Sequence, residues 1–139
     1  MVAEPTAIST AGNANADDAA QDHVSALFQP YFAGSTREYL LIAGFDGAGR
    51  LCAFSETAGS ADQVGTYRDG MRAVLGCIAT RRILVAHNHV CGTAHPSEAD
   101  RFATRGMAAM ARLAGVDLCD HWLFAGGRPV SFRALGLIN

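Results

Sequence analysis

His87-Asn88-His89, followed by seven residues and then Ser97-Glu98-Ala99-Asp100, gathers two imidazoles, a hydroxyl and a carboxylate into one short stretch. The apolar, β-branched run Arg82-Ile83-Leu84-Val85-Ala86-His87 reads as a buried strand. Strand residues two apart point to the same face, so His87 and His89 converge. After a loop holding Gly92 and Pro96, helical periodicity runs from Ser97 to Gly115. It sets Phe102, Gly106, Met110 and Leu113 on one face, Arg101, Arg105 and Arg112 on another, and Asp100 in the first turn. Two neutral nitrogens and one carboxylate oxygen leave a fourth tetrahedral position for water, as in catalytic rather than closed structural zinc. Zinc lowers the pKa of bound water from about 15.7 to about 7, which suits hydrolysis at neutral pH. Each half of the pattern has an ordinary alternative: a hydrogen-bonded loop anchor for the histidines, and a helix N-cap with an acidic first turn for Ser97 and Asp100. Their conjunction favours the metal.

The spacing HxHx7SxxD of His87, His89, Ser97 and Asp100 resembles that of the JAMM (JAB/MPN+) metalloproteases. The surrounding LVAHNH, the upstream TREYLLIAGFD and the downstream LCDHWLFAGGRPVSFRALGL are similar to the bacterial RadC-like branch, over residues 36 to 138. The resemblance implies that His87, His89 and Asp100 hold Zn2+ and that Ser97 helps stabilise a tetrahedral oxyanion. It also implies that an early-strand glutamate, matched by Glu38, is the general base. The implied reaction is hydrolysis of a peptide or isopeptide bond, with a protein or peptide substrate such as a ubiquitin-like conjugate. Glu56, in a Ser/Thr/Gly-rich stretch, and Glu98, beside the helix start, are alternative bases. The chain departs from the RadC-like pattern in the loop: Val90-Cys91-Gly92 stands where Pro-Ser-Gly is usual, and Thr93-Ala94-His95-Pro96-Ser97 replaces an Asp-Pro-Thr-Pro-Ser run. Cys91 is either a thiolate able to occupy the open zinc position and silence the site, or a small apolar side chain. His95 is a spare ligand or an exposed loop histidine. Asp120-His121 opens an apolar strand, as a partner that orients a ligand imidazole or as a strand-end pair exposed to solvent or bonded to backbone.

The elements that must position these residues fit one domain. Of 139 residues half are apolar and 17% charged, enough for a modest core but not for a second domain. Residues 1–21, rich in Ala, Ser, Thr, Asn and Asp, lack the basic and apolar regions of a secretory signal and read as disordered, leaving 22–139 as the domain. No stretch is apolar enough for a membrane span. The four cysteines form no CxxC pair, which suits reduced thiols in a cytoplasm. From Asp22 a short helix carries Val24, Leu27, Phe28, Tyr31 and Phe32, with Pro30 ending or kinking it. There follow a strand from Glu38 to Phe45, a turn at Asp46-Gly47, a strand from Arg50 to Ser55 and a helix near Asp69 to Thr80. The histidine strand, the Ser97 helix and two strands complete the chain. This order predicts an α/β fold with a mixed sheet flanked by helices, matching the cytidine-deaminase-like JAB/MPN fold that the resemblance implies. A deaminase itself is excluded, because its HxE and PCxxC zinc signature is absent.

Two other function classes compete with the hydrolase: a catalytically silent interaction module on the same fold, and a DNA-repair-associated protein. A net charge of −2 and the absence of lysine argue against a surface that tracks phosphates, so nucleic acid is not the expected partner. The arginine stripe on the Ser97 helix reads as a solvated face.

Overall fold

A computed structural model describes residues 14–59, 66–90 and 92–139. The elements in chain order are α1 (Ala14–Phe32), β1 (Tyr39–Phe45), β2 (Leu51–Ala58), α2 (Thr66–Leu75), β3 (Arg82–Asn88), α3 (Glu98–Leu113), β4 (Asp117–Phe124) and β5 (Val130–Ser131). The sheet runs β2-β1-β3-β4-β5. Only β3 and β4 are parallel; the other neighbours are antiparallel, which makes the predicted mixed α/β sheet.

β1 and β3 are apolar at nearly every position, the pattern of strands covered on both faces. On one face Leu40, Ile42, Ile83 and Val85 pack against Met71 and Val74 of α2 and Ala103, Met107 and Ala111 of α3. On the other, Leu41, Ala43, Leu84 and Ala86 pack with Trp122 and Phe124 against Val24, Phe28 and Phe32 of α1. Among the described residues no helix is long and apolar enough to cross a membrane.

Helix α1 begins at Ala14, inside the segment that composition assigned to disorder; residues 1–13 lie outside the described residues. Ala20, Val24, Phe28 and Phe32 recur every fourth residue and are buried, so tertiary packing extends a helix whose start is compositionally weak. Gln21 anchors it by donating to the Pro129 carbonyl at 3.1 Å. Pro30 lies within the helix instead of ending it. The carbonyl it leaves without a helical donor is that of Ala26, on the exposed face where water can replace the lost bond.

Helix α3 buries a different stripe from the expected one. Asp100, Ala103, Thr104, Met107 and Ala111 face inward, whereas Phe102 and Leu113 are exposed at 63% and 90%. Small residues let the helix lie close to the sheet, and Asp100 belongs to the packed stripe.

Strand β4 starts four residues earlier than its apolar core suggested, so Asp120 and His121 are buried in its interior and are not a solvent-exposed strand end. Its register with β3 slips by one residue: Ile83 pairs with Leu118, but Leu84 pairs with Asp120. A one-residue bulge exchanges the faces of everything that follows it. His121, opposite Val85, is thereby turned to the α3 side of the sheet, while Trp122, opposite Ala86, faces α1. Arg133 holds the bulge, donating from Nε to the Cys119 carbonyl at 2.7 Å and from Nη2 to that of Leu118 at 3.2 Å.

Gly44 on β1 permits the close approach of the α2 end. A Cβ there would stand 2.8 Å from Val74 Cγ1 and 3.1 Å from Thr80 Oγ1, both on buried, β-branched side chains. Gly44→Ala is expected to lower the unfolding free energy by about 1–3 kcal/mol despite the favourable effect of alanine on the unfolded chain. Denaturant unfolding of the two proteins measures this, and equal midpoints would show that α2 yields without cost.

Candidate metal centre

His87 is the penultimate residue of β3, fully buried at 1% exposure. One residue past the strand, the His89 amide still donates to the Phe124 carbonyl at 2.9 Å, so the chain stays alongside β4 and the second imidazole follows the first onto the same face. Opposite them, α3 opens with Ser97 as N-cap in an extended conformation. Ser97 Oγ accepts from the Asp100 amide at 3.0 Å, and Asp100 Oδ2 accepts from the Ser97 amide at 2.8 Å, a reciprocal capping box that fixes the carboxylate.

The three side chains meet at short range. His87 Nε2 is 3.1 Å from His89 Nε2, His89 Nε2 is 3.1 Å from Asp100 Oδ2, and His87 Nε2 is 3.3 Å from Asp100 Oδ1. Bonds of about 2.0–2.2 Å from zinc to nitrogen and oxygen, set at the tetrahedral angle, give ligand separations of about 3.3 Å. The donor set also fits: His89 Nδ1 lies 2.8 Å from the Thr93 carbonyl, which can only accept. Nδ1 therefore carries the hydrogen in the neutral ring, and Nε2 offers a lone pair. The His89 lone pair, the second imidazole nitrogen and the carboxylate converge as the ligands of a cation would. His87, His89 and Asp100 can hold a metal ion.

Behind these three side chains, His87 Nδ1 is 2.7 Å from His121 Nε2, and His121 Nδ1 is 2.8 Å from Thr104 Oγ1. The reading of His121 as an orienting partner is thus the one the geometry supports. Asp120 points elsewhere: its carboxylate accepts from the amides of His121 and Arg133 at 2.7 and 2.9 Å and from the Ser131 hydroxyl, tying β4 to the carboxy-terminal segment. Thr104 escaped the sequence reading. Its signal was its place one turn after Asp100 on the same helix face.

Glu38 is half-buried just before β1. The β1–β3 ladder pairs Leu40 with His87, and continuing it by two residues sets Glu38 opposite His89. Asn88 fixes the backbone on both sides of Glu38: its Nδ2 donates to the Arg37 carbonyl at 3.0 Å and its Oδ1 accepts from the Tyr39 amide at 2.7 Å. The alternative bases are exposed, Glu56 on β2 and Glu98 at the start of α3, and His95 is exposed in the loop. Cys91 lies outside the described residues. Of the arginine stripe, Arg105 and Arg112 line a groove of about 940 Å³ with Arg82 and Arg133; the imidazoles do not border it.

Residues 19–137 match the family model for the RadC-like JAB domain. A UPF0758 protein of Methylibium petroleiphilum is 35% identical over 117 residues, covering 83% of this chain and 52% of that protein. UPF0758 proteins of a Marinomonas species and of Bordetella petrii are 32% and 36% identical, over 86% and 83% of this chain and 54% and 52% of theirs. The chain thus spans about half the length of the curated relatives it matches.

Burial, reinforced by repulsion from His87, holds the His121 imidazole well below its ordinary value of 6.5, so it is neutral in the folded protein. Burial alone raises the Asp100 carboxyl, but the contacts with His87, the Ser97 amide and His89 outweigh it and keep it well below the usual carboxylate range. Both depressed groups act in the same sense. As pH falls below 6.5 the unfolded His121 takes up a proton that the folded one refuses, so stability present at neutral pH is lost in acid. The loss is about 1.4 kcal/mol per pH unit, and Asp100 adds to it only below 3.8. Asp120, raised by burial, acts in the opposite sense, but His121→Phe leaves it in place. Metal-free protein should therefore lose stability between pH 7.5 and 5.5 more steeply than its His121→Phe variant in denaturant unfolding. Equal slopes would mean that folded His121 accepts the proton.

Proposed function

This chain belongs to the family of RadC-like JAB domains, and on that premise we propose that it is a zinc-dependent hydrolase of peptide or isopeptide bonds. The observation that carries the proposal is the meeting of two imidazole nitrogens and a carboxylate at tetrahedral ligand spacing. Zinc at this site would supply Lewis acidity and lower the pKa of water.

The chain's own residues divide the remaining work. Glu38, on a backbone held by Asn88, takes a proton from the attacking water and returns it to the departing amine. Ser97 Oγ uses a lone pair to cap α3, which leaves its O–H to donate to the oxygen on which negative charge develops. Asp100 accepts from the Ser97 amide in the capping box, a hydrogen bond that favours its charged form. The substrate is a protein or peptide, with a ubiquitin-like conjugate as the leading case.

Purified protein should take up one equivalent of zinc, and Asp100→Asn should lose it. Glu38→Gln is expected to retain the metal while conjugate cleavage falls by about 10²–10⁴-fold. Zinc content by elemental analysis, paired with cleavage of a panel of peptide and isopeptide conjugates, checks all three. Zinc bound without turnover on any conjugate would make the domain a silent interaction module, and absence of zinc from the wild type would remove the hydrolase reading.

A further inference from the structure

We propose that Thr104 and His121 act as positioning residues that set the tautomer of His87, so that its lone pair faces the metal position; the inference rests on the metal reading of that site. The chain of hydrogens has a direction. The single hydroxyl hydrogen of Thr104 goes to the Asp100 carbonyl one turn back, at 2.7 Å. Its oxygen can then only accept from His121 Nδ1 at 2.8 Å, so that nitrogen carries the hydrogen. The neutral His121 ring has one hydrogen, which leaves Nε2 as the acceptor for His87 Nδ1 at 2.7 Å. With its hydrogen committed on Nδ1, His87 presents a bare Nε2 to His89 and Asp100.

The opposite direction would have Thr104 donate to His121 and His121 donate to His87, which puts a hydrogen on His87 Nε2 where the ion would bind. The hydroxyl is thus the group that decides. Both residues are held rigidly for this purpose. Thr104 lies in the buried stripe of α3, and His121 is fully buried, stacked on Phe132 with ring centres 4.1 Å apart. The bulge in β4 supplies the aim, since in unbroken register His121 would face α1. Ligand imidazoles commonly donate to a carboxylate or a carbonyl, which fixes the tautomer directly. Here another imidazole does so, and it needs Thr104 to fix its own.

The decisive measurement is a two-bond 1H–15N correlation spectrum of metal-free, 15N-labelled protein at pH 8, which distinguishes the imidazole tautomers. His87 and His121 should both appear protonated on Nδ1. A His87 ring protonated on Nε2 alone in the wild type would overturn the inference, and no variant has to fold for that result. Zinc affinity by competition with a chromogenic chelator gives a second readout. Thr104→Val, nearly the same shape without the hydroxyl, and His121→Phe should each bind zinc about 10–100-fold more weakly, while Thr104→Ser recovers wild-type affinity. Wild-type affinity and an unchanged His87 tautomer in Thr104→Val would also overturn it. Failure of the wild type to bind zinc would instead sink the hydrolase reading, with the tautomer of the metal-free protein still read independently.

Discussion

An imidazole can offer a lone pair from one nitrogen only if its hydrogen is placed on the other, and a buried site has no water to make the exchange. The site in this chain is built around that constraint. His89 has a carbonyl oxygen at its back, which settles the matter locally. His87 is buried among side chains on the α3 face of the sheet and has no such carbonyl at its Nδ1; a second imidazole stands there, itself bonded to a hydroxyl. The direction of the whole chain then depends on where one hydroxyl hydrogen goes, and in α3 it goes to the helix's own backbone. A polar network this deeply buried is tolerable only when each member is satisfied, because an unmet donor or acceptor there costs about 1–3 kcal/mol.

The sheet must be irregular for that network to exist. In a strictly alternating β4, Leu118 on the α3 face would put Asp120 and Trp122 on that face and His121 on the other. The bulge reverses this after Leu118, and its cost in ladder bonds is offset locally. Arg133 covers the carbonyls of Leu118 and Cys119, and Asp120 gathers two amides and the Ser131 hydroxyl. Phe132, between the two residues that make these contacts, lies against the His121 ring. The carboxy-terminal segment is therefore a clamp on the bulge and, through it, on the angle of the imidazole that touches His87.

The pattern of chemistry was more legible in the sequence than the geometry that serves it. His87, His89 and Asp100 could be found because strand period and helix start act locally, and the structure brings those three together. The order of strands and helices followed from apolar periodicity for the same reason. What was hidden depends on contacts distant in the chain. The inner face of α3 runs through alanines and Thr104 rather than Phe102, since closeness to the sheet, not side-chain size, selected it. Helix α1 runs back past residue 22, with Ala20 buried in line with Val24, Phe28 and Phe32, packing that composition does not encode. A bulge leaves no mark on hydrophobic alternation until the partner strand is known, so His121 could be noticed but not aimed.

Positioning also explains why the histidine triplet needs its middle residue. On a strand, Asn88 points away from the face that His87 and His89 share, so it cannot join them as a ligand. Its amide instead spans the gap to the start of β1, bonding on either side of Glu38. Two candidate ligands and the restraint on the proposed base thus come from three consecutive residues, divided by the pleat between the faces of one strand. Ser97 combines roles in a similar way, capping α3 with a lone pair while its hydrogen stays available. The candidate ligands His87 and Asp100 sit on a central strand and a capped helix, so the geometry of the site is inherited from the most buried part of the fold, with His89 one residue past the strand and Glu38 just before β1.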